Sequence, residues 1–569
     1  MKREFGGRAL LALLAAASWM FREAVFQGGV FYQRDIQLAW QPQVSVFIHC
    51  LARGSWPVWD PFQAFGQPLL ADPSAQLLYP PTWLNLVLMP WTYYTVFVIA
   101  HVVLGAAGVR ALALRGGTSE AGAFVAGLLW MLSGSTMSLV NLYHHFAGAA
   151  WIPWVLLAAD RAMRSGRLRD VNRLAIVGAL QLLAGSAEMA VASALLVVFG
   201  AAVTIVDWRD PFGAAGRRLL RAAIGAGVLA VALACAQWLP TADAARRSQR
   251  AALDEEQRTR WSVHPIVAMQ TIVPAALGPL PLKREWRADL FDGEAPFLAS
   301  IYLGMPAVAL VAMACVRRRW FWIAVAVGAL LVALGRHTPV YGIVSTLLPF
   351  LRSFRYPAKA IPVVALGWAM LAGMGFDAWR DAAWGSRARW HWCAAGFGLL
   401  ALAAAVVAAW FWVTPQQVAD ALLHQPDPYR RSLAVILREP RAATLMAAAL
   451  TGAVAVMAVL RARRPALAGV LAPVVAVLAA VDLAAAHRNQ NPTAPREMLA
   501  SRPPVLGQVR QDDARRLYVY DYSGFAGKPE QHLGRSSPYL LAGVPPGFTA
   551  DQARAWAARL YPVPPQPAI

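Results

Sequence analysis

The chain has 569 residues, of which 58% are hydrophobic and 15% charged, against about a quarter charged in an ordinary soluble domain, and its mean hydropathy is +0.45. An ordinary soluble enzyme is excluded by these figures. The net charge of +21 would suit a nucleic-acid binder only if the Lys and Arg residues gathered on a water-facing surface, whereas here they punctuate long apolar stretches, as orienting charges do in membrane proteins.

Apolar stretches near twenty residues long are centred near residues 18, 97, 128, 154, 179, 198, 229, 306, 327, 369, 402, 451 and 476, which predicts an all-α polytopic membrane protein with about 13 transmembrane helices. This membrane domain covers residues 1–486 and leaves a tail at 487–569. Residues 174–206 form one apolar block, long enough only for two short helices meeting at Gly185-Ser186. Four cysteines, with no CxxC and no zinc spacing, read as packing residues.

Lys2, Arg3 and Arg8 precede the first span, and basic clusters recur after every second span, among them Arg110 with Arg115, the run from Arg161 to Arg173, and Arg317 to Arg319. By the positive-inside rule the N-terminus is cytoplasmic and, for an odd number of spans, the tail lies outside. A cleaved signal peptide ending near Ala15-Ala16-Ala17 is the competing reading of the first segment. The continuation through Trp19, Met20 and Phe21 favours an uncleaved anchor.

Three outer loops are long enough to carry function, at residues 31–82, 241–297 and 335–360. The first begins Phe31-Tyr-Gln-Arg34-Asp35, which puts a carboxylate just outside the first span, where it is costly unless paired or used. A water-exposed acid paired with Arg34 is the plain alternative. Residues 36–52 mix apolar and polar positions as an interfacial helix does. Trp59-Asp60-Pro61, Gly66-Gln67-Pro68, Asp72-Pro73 and Tyr79-Pro80-Pro81 follow, and their Pro and Gly content predicts a rigid loop. Trp59 and Tyr79 suit sugar stacking or interfacial anchoring, the commoner role of a single Trp, and Asp60 and Asp72, each before a proline, suit turn initiation more than substrate binding.

Further along, His144 and His145 fall at the outer end of a span, either as a solvated cap or as ligands. Glu188 follows the break at Gly185, where it can bond freed backbone groups or act as a second acid. Two outer clusters depart from the positive-inside pattern. Arg246, Arg250, Asp254 and Arg258 share i, i+4 spacing, which predicts one internally paired helical face. Arg355 and Lys359, just before a span, can grip a phosphate at headgroup depth or anchor to anionic lipid. The tail contains an alternating run, Arg515 to Tyr522, that predicts a strand.

The order of these motifs resembles the bacterial YfhO-type membrane proteins of the GT-C glycosyltransferase superfamily. Asn141-Leu-Tyr-His144-His145, Leu183-Ala-Gly185-Ser-Ala-Glu188, Phe354-Arg355-Tyr-Pro357-Ala-Lys359, and Val481-Asp482-Leu483 before Asn491-Pro492-Thr493 add to it. The resemblance implies a bacterial inner-membrane enzyme that moves a sugar from a polyprenyl-phosphate donor to an extracytoplasmic glycan or lipid acceptor, with no nucleic-acid partner. It implies Asp35 as catalytic base. Transfer from a lipid monophosphate also needs cations on the departing phosphate, which the residues themselves offer in Arg355, Lys359, Arg246 and Arg250, and Trp59, Asp60, Gln67, Asp72, Tyr79, His144, His145 and Glu188 are the candidates toward the substrates. Many relatives carry paired acids where this chain has only Asp35, and a single ligand does not make a metal site. A divalent cation therefore stays an open option. A transporter or lipid flippase, and an inactive envelope-assembly scaffold, are the alternative functions.

Overall fold

An apolar segment can hide its backbone polar groups in lipid only by coiling on itself, and the segments between the breaks of this chain do so. The computed structural model describes residues 2–497, apart from 63–65, 207, 209, 211–212, 249, 251–252, 275–279, 293–294, 315–319, 382, 384–385 and 425–431. Each expected span falls on a helix: α1 (Lys2–Met20), α2 (Pro90–Arg115), α3 (Glu120–Leu132), α4 (Tyr143–Ser165), α5 (Leu168–Leu183), α6 (Ala187–Thr204), α7 (Ala214–Arg246), α8 (Met305–Met313), α9 (Trp320–Ala333), α10 (Ile361–Arg380), α11 (Arg387–Val413), α12 (Arg438–Arg463) and α13 (Ala468–His487). Among the described residues, 7 helices are long and apolar enough to cross a membrane: α2, α6, α7, α10, α11, α12 and α13. Parts of α1, α3 and α9 are shorter apolar helices. The fold is that of a helical polytopic membrane protein, with seven rather than thirteen helices meeting the length and composition of a crossing.

The centre of the bundle is α10, which packs against α3, α8, α9 and α13. Its apolar window is 78% buried, whereas that of α6 is 17% buried and leaves most of its surface for lipid. Glycines let α10 reach α3 closely: a Cβ at Gly373 would lie 2.5 Å from the Gly122 carbonyl oxygen. Asp377 of α10 accepts hydrogen bonds from the Ser119 backbone at 2.8 Å and from its hydroxyl, which ties down the N-terminus of α3. At the other helix end, Arg461 of α12 is buried and donates to the carbonyls of Trp379 and Asp381, 3.3 and 2.6 Å away. A cation on the last turn of α10 satisfies both hydrogen bonding and the helix dipole.

The sole strand pair among the described residues joins the two ends of this unit. β1 (Val30–Phe31) runs antiparallel to β2 (Thr493–Ala494), with Val30 opposite Ala494. The chain divides into two units, Met1–Leu499 and Ala500–Ile569, so residues 487–497, which sequence assigns to the outer tail, belong with the helices. His487 is buried there and bonds Ser300 Oγ at 2.9 Å. The strand expected at Arg515 to Tyr522 lies outside the described residues.

Candidate functional site

Asp35 is placed by what flanks it. Four residues earlier β1 is pinned by β2, and just after it Ile36 and Trp40 are buried, Trp40 stacking with Tyr93 of α2 at 6.0 Å. The helix expected over 36–52 is present, as a π-helical turn at Ile36–Trp40 continued by an α-helix at Gln41–Ala52. Arg34 takes a left-handed backbone (φ 53°), which non-glycine residues seldom adopt. Its guanidinium donates to the Phe297 carbonyl at 2.9 Å, joining the 31–82 loop to the 241–297 loop. Asp35 itself is half-buried and makes no hydrogen bond or ion pair among the described residues. Burial raises its pKa against the opposing pull of Arg34 and Lys359, and burial lowers that of Arg34 against the pull of Asp35. A half-desolvated, unengaged carboxylate with a raised pKa is suited to receive a proton.

The Pro- and Gly-rich loop is held by its own polar groups. Asp60 and Gln67 exchange backbone hydrogen bonds at 2.8 and 2.9 Å, and the Asp60 carboxylate accepts from the Phe62 backbone at 2.8 Å. Asp60 is fully buried, and Trp59 lies over Gly66, whose positive φ (108°) and missing Cβ make room for the indole. Asp72 caps a short turn by accepting from the Ser74 backbone at 2.9 Å and hydroxyl at 2.7 Å, and it also accepts from Gln43 at 2.9 Å. Tyr143 donates to Gln43 at 2.9 Å, which extends the network to α4. Tyr79 is buried between α2 and α4, its hydroxyl bonded to His101 at 2.7 Å and Trp151 at 2.9 Å. Burial raises the Tyr79 pKa, with the Trp151 bond opposing.

This loop docks on the break between α5 and α6. Gly185 has φ +90°, and a Cβ there would collide with the Pro73 carbonyl. Gln76 donates to the Ala184 carbonyl at 2.6 Å across the same junction. Ser186 caps α6 by accepting from the Met189 backbone, and its hydroxyl meets His145 Nδ1 at 2.8 Å.

Two residues after that cap, Glu188 pairs with Lys359 at 2.5 Å, and His145 Nδ1 lies 4.0 Å from its other oxygen. The His144 ring is 4.0 Å from that of His145, and its Nδ1 is buried with no hydrogen bond among the described residues. His144 lies within electrostatic range of Glu188, Lys359, Asp72 and Arg250. Two aromatic rings face the Lys359 head. Its ammonium is 5.1 Å from the Tyr356 ring centre and 5.7 Å from that of Phe297, and Trp261 packs on Tyr356 at 4.5 Å. The Arg355 guanidinium lies over the Tyr356 ring at 4.7 Å and has no carboxylate partner among the described residues.

From this polar head a cavity of about 390 Å³ runs between α6, α9 and the start of α10. Glu188, Arg355 and Lys359 stand at one end, and Leu195, Phe199, Ala329 and Val363 line its apolar length. The arrangement is amphipathic: Arg355 and the Lys359–Glu188 pair at one end, then apolar wall. It fits a ligand with an anionic head and a hydrocarbon chain.

The structure thus brings Asp35, Asp72, His144, His145, Glu188, Arg250 and Lys359 into one electrostatic neighbourhood, with Arg355 at the cavity mouth. Trp59, Asp60, Gln67 and Tyr79 are engaged in the loop and its core instead. Arg246 is exposed at the end of α7. The single helical face expected from Arg246 to Arg258 is not formed, because α7 stops at Arg246 and Asp254 caps a separate short helix, Glu255–Thr259. Phe297 and Trp261 have no signal in the sequence pattern, since isolated aromatic residues near a membrane are common; Ser186 stands at the Gly185 break and Tyr356 lies inside the Arg355–Lys359 motif. Among the described residues no three His, Cys, Asp or Glu side chains group as a metal site.

No family model matches the chain, and no curated protein matches it. Among solved structures, a chain that matches is ArnT from Cupriavidus metallidurans bound to undecaprenyl phosphate, at 15% sequence identity and a TM-score of 0.45, covering 85% of this chain and 75% of that one.

Proposed function

We propose that this chain is a membrane glycosyltransferase of the GT-C type that takes a sugar from a polyprenyl-phosphate donor, with the N-terminus cytoplasmic and the site on the outer side. The observation that carries the reading is the amphipathic cavity: an apolar channel whose mouth holds Arg355 and Lys359, with Asp35 in electrostatic reach of Lys359. The motif order from Asp35 to Asn491 supports the same superfamily.

In the proposed reaction an acceptor hydroxyl oxygen attacks the anomeric carbon, the bond from that carbon to the phosphate oxygen breaks, and the hydroxyl proton passes to Asp35. The polyprenyl phosphate leaves with the bonding electrons, and Arg355 and Lys359 face the charge that develops on it. Glu188 holds Lys359 in place and keeps a buried ammonium compensated before the donor arrives. His144, His145 and Asp72 lie toward the acceptor side of this head. The acceptor is a hydroxyl of an envelope glycan or lipid.

Donor binding tests the reading apart from chemistry. Purified protein in nanodiscs should bind a polyprenyl monophosphate well above the matching polyprenol. Arg355→Ala should lower that preference roughly tenfold or more, since a charge-assisted hydrogen bond contributes about 1.5–3 kcal/mol. Equal binding of phosphate and alcohol by the folded protein would remove the proposal.

A further inference from the structure

A second amphipathic cavity lies at the opposite end of α6. It occupies about 400 Å³ between α2, α4, α6 and α9, with Leu112, Leu156, Leu196 and Trp322 on its apolar wall and Arg115, Asp160 and Arg164 at its edge. Its edge opens beside a basic recess of about 410 Å³ that again holds Arg115 and Arg164 and adds Arg161, Arg169 and Arg173. The two cavities share Leu196. Phe199, which lines the first, and Phe321, which lines the second, stack at 5.3 Å, so the two cavities adjoin along α6.

The charges of the recess are unbalanced. Asp160 is bracketed by Arg115 at 2.7 Å and Arg164 at 2.6 Å, and Asp170 by Arg173 at 3.3 Å and Arg169 at 3.9 Å. Arg161 makes no ion pair among the described residues. Five guanidiniums thus face two carboxylates, and four of them pair with those carboxylates. Simple orienting charges need neither an adjoining apolar chamber nor a fixed arrangement. A basic recess that continues into a hydrocarbon-lined cavity has the chemistry of a phospholipid site, with a phosphate in the recess and an acyl chain in the chamber.

We propose that this recess and chamber bind an anionic diacyl phospholipid, such as phosphatidylglycerol, in the leaflet on the opposite side from Glu188 and Lys359. The net positive charge selects an anionic over a zwitterionic head, and the bidentate geometry of arginine suits its phosphate. The inference is independent of the glycosyltransferase reading.

Native mass spectrometry of the full-length protein in detergent tests it, with dioleoyl phosphatidylglycerol, dioleoyl phosphatidylcholine and inorganic phosphate as probes. Wild type should retain the glycerol lipid over the choline lipid. An Arg161→Gln, Arg169→Gln protein should bind it roughly thirtyfold more weakly, from two lost basic residues at the membrane surface. Gly200→Leu serves as the second variant. Gly200 lines the chamber, and a Cβ there meets only Phe321 at 3.6 Å, so the longer side chain fills the space without touching a charge. It should weaken retention of the lipid although every arginine remains. Equal retention of the two lipids by wild type, unchanged lipid binding in Gly200→Leu, or displacement of the lipid by inorganic phosphate at equal concentration would each overturn the proposal.

Discussion

The ammonium of Lys359 lies 2.5 Å from the carboxylate of Glu188, a partner 171 positions away in the chain. Both side chains are largely removed from water, at 10% and 14% exposure. Taking one member from a buried pair leaves the other uncompensated and costs about 3–5 kcal/mol, whereas an apolar replacement of both is far milder. Glu188→Leu and Lys359→Met should each lower stability in detergent by that amount, and the double variant should recover most of it while still failing to bind a lipid phosphate. Denaturation of the three variants checks this; single variants as stable as wild type would show that the pair adds nothing to the fold.

In the proposed reaction the pH dependence of turnover follows from Asp35. A base works deprotonated, and burial raises this carboxyl above its usual value of 3.8, so activity should fall with acidification at a higher pH than for an exposed aspartate. Arg34 opposes the rise. Arg34→Gln should therefore move the acidic limb of the pH–rate profile further upward, and a limb that stays in place or moves down would contradict the assignment of that limb to Asp35.

Gly185 sets the docking of the first outer loop. With φ +90° and the Pro73 carbonyl against its Cα, Gly185→Ala combines a left-handed strain of about 1–3 kcal/mol with a steric clash. The loop around Pro73 should release from the α5–α6 junction, seen as faster proteolysis between Asp72 and Gln76 and as lost transfer activity with the helices intact.

Arg461 provides a contrast far from the site. Its removal in Arg461→Met leaves the Trp379 and Asp381 carbonyls without their donor, at a cost of about 1.5–3 kcal/mol for a charged hydrogen bond. Thermal stability should drop by that order while turnover per folded molecule is unchanged.

The helices were legible in the sequence because lipid forces a simple rule on it: each apolar stretch has to become a helix, and the two short ones around Gly185 do meet there. The site was legible only in part. Glu188, Lys359, Arg355 and Asp35 stood out because charge near an apolar segment is costly and therefore sparse. Their convergence was not, since Lys359 reaches Glu188 across long-range packing that no local pattern encodes. Tyr79 and Asp60 show the opposite limit. Both carry groups suited to substrate contact, yet the hydroxyl of one is taken by His101 and Trp151, and the carboxylate of the other accepts from the Phe62 backbone. Arg246 to Arg258 had helical spacing without a helix, because the chain breaks after Arg246.

Single-turnover release of free polyprenyl phosphate, from a mixture of polyprenyl-phosphate sugars with an envelope-derived acceptor fraction, tests the central claim most directly. The account predicts release by the wild-type protein and a loss of roughly 10²–10⁴-fold in folded Asp35→Asn, the usual contribution of a general base. Release at the wild-type rate by Asp35→Asn would contradict the role of Asp35, and no release by folded wild type across the donor set would contradict the transferase itself.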